Sequence, residues 1–524
     1  MSAKAIRAAL AFVILSGAGA LTFAQQGPPP PPPPLPPVPV PSENPITENK
    51  RVLGKILFWD EQVSGDSTVA CGTCHSSNRS GTDLRIGINP GPDANFSTPD
   101  DNIRSSPGVR HADVNGNLVQ DPVFGFNVQV TRRAANAAVH AAYTPEAFWD
   151  GRAKTNFIDP DTGQTAIATG GALENQALAP ILSSVEMGRD SRSWADVVKK
   201  LAISEPLGNA TKVPADVIPA IAAHATYPSL FQAAFGDPAI TAERIAFAIA
   251  TYERTLIPNQ TPWDLFVAGN PTAMTPGQVQ GWNFFRGSPC AACHTPPNFT
   301  NYSYRNIGVR PPTDDTGREE VTGFDSDRGK FKVPTLRGVG LKVSYMHNGV
   351  FSDLQQVIAH YRPNNPAIFL DNIDPLLPVP VPPDQGPALV DFMANALTDP
   401  RVAAGTFPFD QPSLSAGALP QLSFDADKVT LRWPAIGGIA LYTMYRGNLE
   451  DLVDFNGDGL PDHGYGVCMN GSDPDPTDTT YVDNEVPLEG HGFFYVKGVR
   501  DGSVDRGLGV TSSVQARVPA ASCP

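Results

Sequence analysis

Two short stretches, Cys71-Gly72-Thr73-Cys74-His75 and Cys290-Ala291-Ala292-Cys293-His294, share the pattern C-x-x-C-H. Two thiols three positions apart can each bond one vinyl group of a single porphyrin, and the histidine that follows is then placed to ligate the iron. Each stretch therefore reads as an attachment site for a covalent c-type haem. Cys71, Cys74, Cys290 and Cys293 are the bonding thiols, and His75 and His294 the proximal iron ligands. The competing readings are a zinc site and a C-x-x-C disulfide. Zinc takes a second ligand pair near the first, and neither stretch has one. A disulfide leaves both trailing histidines without a role. A haem that only passes electrons has both axial positions filled, whereas one that activates peroxide keeps a position open.

The elements around the motifs are helical in pattern. Asn49 to Trp59 carries Val52, Ile56 and Trp59 on one side, and the loop Ser64-Gly65-Asp66 leads from it toward the first motif. Residues 76–127 are rich in Gly, Asn, Asp and Pro without periodicity, and read as a long irregular insertion. Helices are expected over Trp194–Ile203 with Ser193 as N-cap, over Tyr227–Phe235, and over Ala242–Thr255 with Ile245, Ile249 and Tyr252 on one face. The second motif follows the segment Gln278–Phe285. Beyond Pro334 a helix starts near Ser352 or Asp353, with Ser352 the candidate cap and Leu354, Val357, Ile358 and Tyr361 on one face. After about Pro408 the pattern changes to short strands, Leu422–Phe424, Val429–Trp433, Ala440–Tyr445 and Phe493–Val499, separated by turn residues. This reads as a small all-β sandwich similar to a fibronectin type III module, with Trp433 in an early core strand.

Bulk properties bound the function. The chain has 524 residues, a net charge of −15 and a pI near 5.0, which argues against nucleic acid and anionic membranes as partners. Lys4 and Arg7, the apolar run Ala8–Leu21 and Thr22-Phe23-Ala24 read as a signal peptide cleaved after Ala24, so a periplasmic or secreted location is expected. No later run is long and apolar enough to span a membrane. Residues 27–41 are almost all proline and read as a semi-rigid polyproline II spacer. Of six cysteines, Cys468 and Cys523 lie outside the motifs and are expected to form one disulfide. Asp454 to Asp462 has the Asp/Asn spacing of an EF-hand-like loop but no twelfth-position glutamate; calcium binding and a plain turn both remain open.

From Asn44 to Asp399 the chain resembles the di-haem cytochrome c peroxidase and MauG family. The matching segments, in order, are LGKILFWD (53–60), CGTCH, FWDGRA (148–153), QALAP with VEMG (176–188), AIATYERTL (248–256), CAACH, and FKVPTLR with YMHNG. The resemblance implies a mainly α fold: two cytochrome c-like haem domains, here followed by the small β-sandwich. The expected organisation is 1–24 signal peptide, 25–43 Pro-rich linker, 44–265 N-terminal (peroxidatic) haem domain, 266–407 C-terminal haem domain and 408–524 β module.

The resemblance also implies roles. Glu186 of VEMG matches the glutamate that moves a proton during peroxide cleavage, and Trp149 of FWDGRA the tryptophan between the two haems. Tyr361 lies 14 residues after His347 of the Tyr345-to-Gly349 motif, where peroxidases of the family carry a methionine ligand and MauG-type members a tyrosine. It is read as the second ligand of the C-terminal iron; the alternatives are a packed helix tyrosine and Met346 as ligand. His111, in the insertion, reads as an exposed loop histidine, with a swing toward the N-terminal iron as the alternative. Two departures stand out. FWDGRA and VEMG lie further apart than usual. Arg132-Arg133-Ala134 lacks the asparagine that helps hold an interdomain calcium, which leaves calcium in doubt. Three functions follow in order of preference: a MauG-like oxidoreductase acting on hydrogen peroxide, a peroxidase fed by a small cytochrome or other redox protein, and a purely electron-transferring di-haem protein.

Overall fold

The computed structural model describes residues 32–505 except 97, 99–102, 415–422, 425–428, 433–440, 453–462, 470–476, 478, 489–490 and 502–503. The expected signal segment, Trp433, the Asp454–Asp462 loop and Cys523 lie outside the described residues; Cys468 is disulfide-bonded. The described chain is chiefly helical, with small antiparallel sheets. Its buried apolar residues form two principal clusters, and one C-x-x-C-H motif packs against each.

The first cluster is built on helices Glu48–Trp59 and Ala242–Glu253. Thr47 and Thr241 cap their N-termini by accepting from Lys50 N and Arg244 N. Gly54 lets the two backbones touch: a Cβ there would lie 1.8 Å from Ala248 O. Trp59 donates to the Tyr252 hydroxyl at 3.0 Å, and its ring lies against Gly72, the second residue of the first motif, where a Cβ would meet the indole at 2.1 Å. Helix Ala172–Leu182 joins this layer through a fully buried pair, Arg254 to Glu174, at 2.7 and 3.0 Å. Glu174 also accepts from Asn44 at 2.9 Å. Because removing one partner strands the other charge in the core, Glu174→Ala should cost about 3–5 kcal/mol, measurable by denaturant unfolding.

The second cluster is aromatic. Trp263, Trp282, Phe285, Phe299 and Phe392 meet at ring-centroid distances between 4.7 and 6.3 Å, mostly edge-on or tilted. They join helices Pro262–Val267 and Pro276–Gly287 to the turn that follows helix Gly386–Asp391. After Pro400–Ala404 the chain returns to the first cluster: Phe409 enters it, Lys55 pairs with Asp410 at 2.8 Å, and Ser413 bridges to Thr211.

Local differences from the sequence reading have physical causes. The insertion is braced by short pairs, Gly87–Asn89 with Ile103–Ser105 and Pro107–Arg110 with Val128–Val130, which three- and four-residue strands are too short to announce by alternation. Ser352 is not the cap of helix Leu354–His360; Asp353 is, accepting from Gln356 N at 2.8 Å. An ionised carboxylate is the stronger acceptor for an amide at a helix N-terminus. Toward the C-terminus, a three-stranded and a four-stranded antiparallel sheet share a small core of Leu431, Tyr442, Met444 and Tyr481.

Candidate functional site

Two cavities open beside the motifs. The N-terminal one, about 660 Å³, is walled by Cys71, Cys74, His75, Phe58, Gln176 and Glu186, among others. His75 Nδ1 lies 3.0 Å from Gly81 O. A carbonyl can only accept, so Nδ1 carries the proton and Nε2 is left as the lone-pair nitrogen. Burial pushes the Cys71 thiol up to about 12, followed by the charge of Glu253, and raises Cys74 as well. Glu186 sits in the turn after helix Ala172–Leu182, its amide held by Ser183 Oγ at 3.3 Å.

The C-terminal cavity, about 190 Å³, is walled by Cys290, Cys293, His294, Met346, His347 and Tyr361, among others. His294 Nδ1 donates to Phe299 O at 3.2 Å and Pro334 O at 3.1 Å, and burial holds this imidazole down at about 4, so it stays neutral. Burial raises the Tyr361 phenol well above its ordinary range, with the Cys290 and Cys293 sulfurs adding to the shift. Each cavity thus pairs two thiols with an imidazole whose Nδ1 is fixed by a carbonyl, the donor set that a covalent haem needs.

Trp149 lines both cavities. Its indole N–H donates to Ala134 O at 2.8 Å, and its carbonyl accepts from Lys332 N at 2.7 Å. His347 lies edge-on to it at 6.4 Å and stacks on Phe331 at 3.6 Å. The surrounding wall is ionic: Arg133 binds Asp150 and Asp315, each at 2.5 Å, tying segments on either side of the cavities together. The Lys332 ammonium donates to Thr144 Oγ1 at 3.0 Å and Glu146 O at 2.5 Å, and burial lowers its pKa to about 7.

The sequence-derived residues thus fall into two groups, His75 with Glu186 and His294 with Tyr361, with Trp149 between them. His111 is not placed with them: it lines neither cavity and sits between Asp121 (3.4 Å) and Asp190 (3.1 Å), half-buried rather than exposed. Lys332, His347 and Glu253 were missed as site residues, although all three stand inside or beside the quoted motifs.

A family model for di-haem cytochrome c peroxidase matches residues 48–272. MauG of Methylophilus methylotrophus is 30% identical over 330 residues, which span 62% of this chain and 75% of that protein. The chain belongs to the di-haem cytochrome c peroxidase and MauG family. It is accordingly a peroxidase-type oxidoreductase, and haem c is the cofactor its family implies. Within the same family, the cytochrome c551 peroxidase of Nitrosomonas europaea is 29% identical over 310 residues, 58% of this chain and 70% of that one. A MauG-like protein associated with microbial copper homeostasis shares the fold at a TM-score of 0.50 and 22% identity, over 72% of this chain and 96% of its own.

Proposed function

We propose that this chain is a MauG-like member of its family: hydrogen peroxide is reduced in the N-terminal cavity, and the C-terminal site relays or stores oxidising equivalents. The observation that carries this reading is the inequality of the two cavities. The roomy one, about 660 Å³, has Glu186 in its wall, and the tight one, about 190 Å³, has Tyr361. When bound, the haems supply one iron at which peroxide is reduced and a second that takes up and gives back electrons. Cys71, Cys74 and His75 would hold the first, and Cys290, Cys293, His294 and Tyr361 the second. Glu186 takes a proton from one peroxide oxygen and returns it to the other. Trp149, with an edge on each cavity, is the relay. Export to the periplasm fits covalent haem attachment and the signal-like N-terminus. Calcium has no side-chain oxygen at Ala134 to bind, so Arg133 is assigned to joining the two units in its place.

The test is a spectrum of the purified haem-loaded protein before and after peroxide. A mixture of five- and six-coordinate haem, with the five-coordinate component consumed, is the expected result; two six-coordinate haems with no reaction would leave only electron transfer. Met346 lines the same cavity as Tyr361, and this favours one second reading: a peroxidase with a His/Met C-terminal haem fed by a small cytochrome. A high-potential C-terminal haem would select it. Trp149→Phe should preserve both haem spectra at rest while slowing electron exchange between them, followed by stopped-flow absorbance after a peroxide pulse.

A further inference from the structure

Helix Ala242–Glu253 ends in a carboxyl that the chemistry above does not use. Glu253 lines the N-terminal cavity and is 3% exposed, and its Oε2 has no hydrogen-bond partner. The adjacent guanidinium does not bond to it: Arg254 Nη1 and Nη2 bind Glu174, Nη2 also binds Gly170 O at 3.1 Å, and Nε has no partner. A buried carboxylate left unpaired costs several kcal/mol, so the group avoids the cost by keeping its proton. Burial, followed by a smaller opposing effect of Arg254 and a further push from Glu174, holds the acid at about 8. Glu253, Glu186 and Cys71 line the same cavity, which places the two carboxyls around one space.

We propose that Glu253 is the proton reserve of the N-terminal cavity, a neutral acid that delivers a proton Glu186 cannot supply. This rests on the reading that peroxide is reduced in that cavity. The balance is H2O2 + 2 H⁺ + 2 e⁻ → 2 H2O: the O–O bond breaks, and the electrons come from the reducing partner. Glu186 only relocates a proton already on peroxide, which releases the first water. The remaining oxygen atom needs two protons from outside. Glu253 gives one of them and is reprotonated from solvent.

The test uses haem-loaded protein supplied with peroxide and a small-molecule one-electron reductant, so that the rate does not depend on which protein partner feeds the site. General acids contribute about 10²–10⁴-fold, and cavity water replaces part of that, so Glu253→Gln should slow turnover at neutral pH about 10- to 100-fold. The wild-type rate should fall as pH rises through about 8, where the acid ionises, and Glu253→Gln should lose that limb. Glu174→Gln removes the charge that helps keep Glu253 protonated and should move the limb to lower pH. A purely structural glutamate would shift no such limb. Infrared difference spectra give an independent readout: a protonated-carboxyl band, absent from Glu253→Gln, should bleach transiently on adding peroxide. Unchanged turnover and pH profile in Glu253→Gln, or a band indifferent to peroxide, overturns the assignment. If the wild type does not react with peroxide at all, the underlying reading falls with it, and the resting band separates that outcome from a failure of Glu253 alone.

Discussion

Glu186→Gln should slow the reaction with peroxide by about 10²- to 10⁴-fold, the range that a positioned general acid–base contributes. The substitution keeps the shape of the side chain and removes only its capacity to accept and return a proton. Glu186 sits after helix Ala172–Leu182, with its amide on Ser183, so its backbone does not depend on its carboxylate. The motif thiols and His75 stand on other segments, and His75 is oriented by Gly81 O. Both haems should therefore remain attached, with the resting spectrum of the wild type. Stopped-flow absorbance after a peroxide pulse separates the cases. Loss of rate at an unchanged resting spectrum supports proton transfer by Glu186. A wild-type rate in Glu186→Gln would show that another group moves the proton, and would remove the reason for placing peroxide in this cavity. Ionic strength should matter little to this step, because the proton moves inside a walled cavity rather than between surface charges.

What could be read in advance divides by physics. Positions set by short local spacing were legible: each C-x-x-C-H motif borders a cavity, and Glu186, Trp149 and Tyr361, from segments of matching pattern, stand in the walls of those cavities. The helices with a periodic apolar face were equally plain, and Ser193 does cap Trp194–Ile203, whereas the Thr241 cap of the next strong helix went unread. Contacts made across the chain were not legible. His111 pairs with Asp190, 79 positions away, and nothing local marks that bond. Phe409 sits at the edge of what composition suggests is a β module, yet packs in the first core beside Val402. Lys332 and His347 belong to recognisable segments. Their importance comes from facing the Trp149 segment, and a linear pattern does not state facing. Glu253 is the extreme case. On a helix end a glutamate is usually solvated, and only its burial, beside an arginine already committed to Glu174, makes it notable.

Tyr361→Met should raise the potential of the C-terminal haem by a sizeable part of the roughly 0.8 V range that axial ligands span. A phenolate is anionic and stabilises the oxidised metal, whereas a thioether is neutral and favours the reduced one. Burial pushes the phenol the other way, toward keeping its proton. The tyrosine can therefore act as an anionic ligand only if the positive charge of a bound metal outweighs that burial, as cations do for the groups that coordinate them. Replacement by methionine removes this opposition and leaves a ligand that needs no deprotonation. The variant should behave as a donor-fed peroxidase, easily reduced at its C-terminal haem, and less able to hold oxidising equivalents once peroxide has been consumed. Potentiometric titration followed by absorbance reads the shift directly. Tyr361→Phe is the necessary companion, because Met346 lines the same cavity and could take the vacant position. If Tyr361→Met leaves the C-terminal spectrum and potential unchanged while Met346→Leu alters both, the ligand is Met346 and Tyr361 is a packing residue. The asymmetry between the two sites would then rest on the cavity walls alone, and the case for a MauG-like store of oxidising equivalents would give way to that for a cytochrome-fed peroxidase.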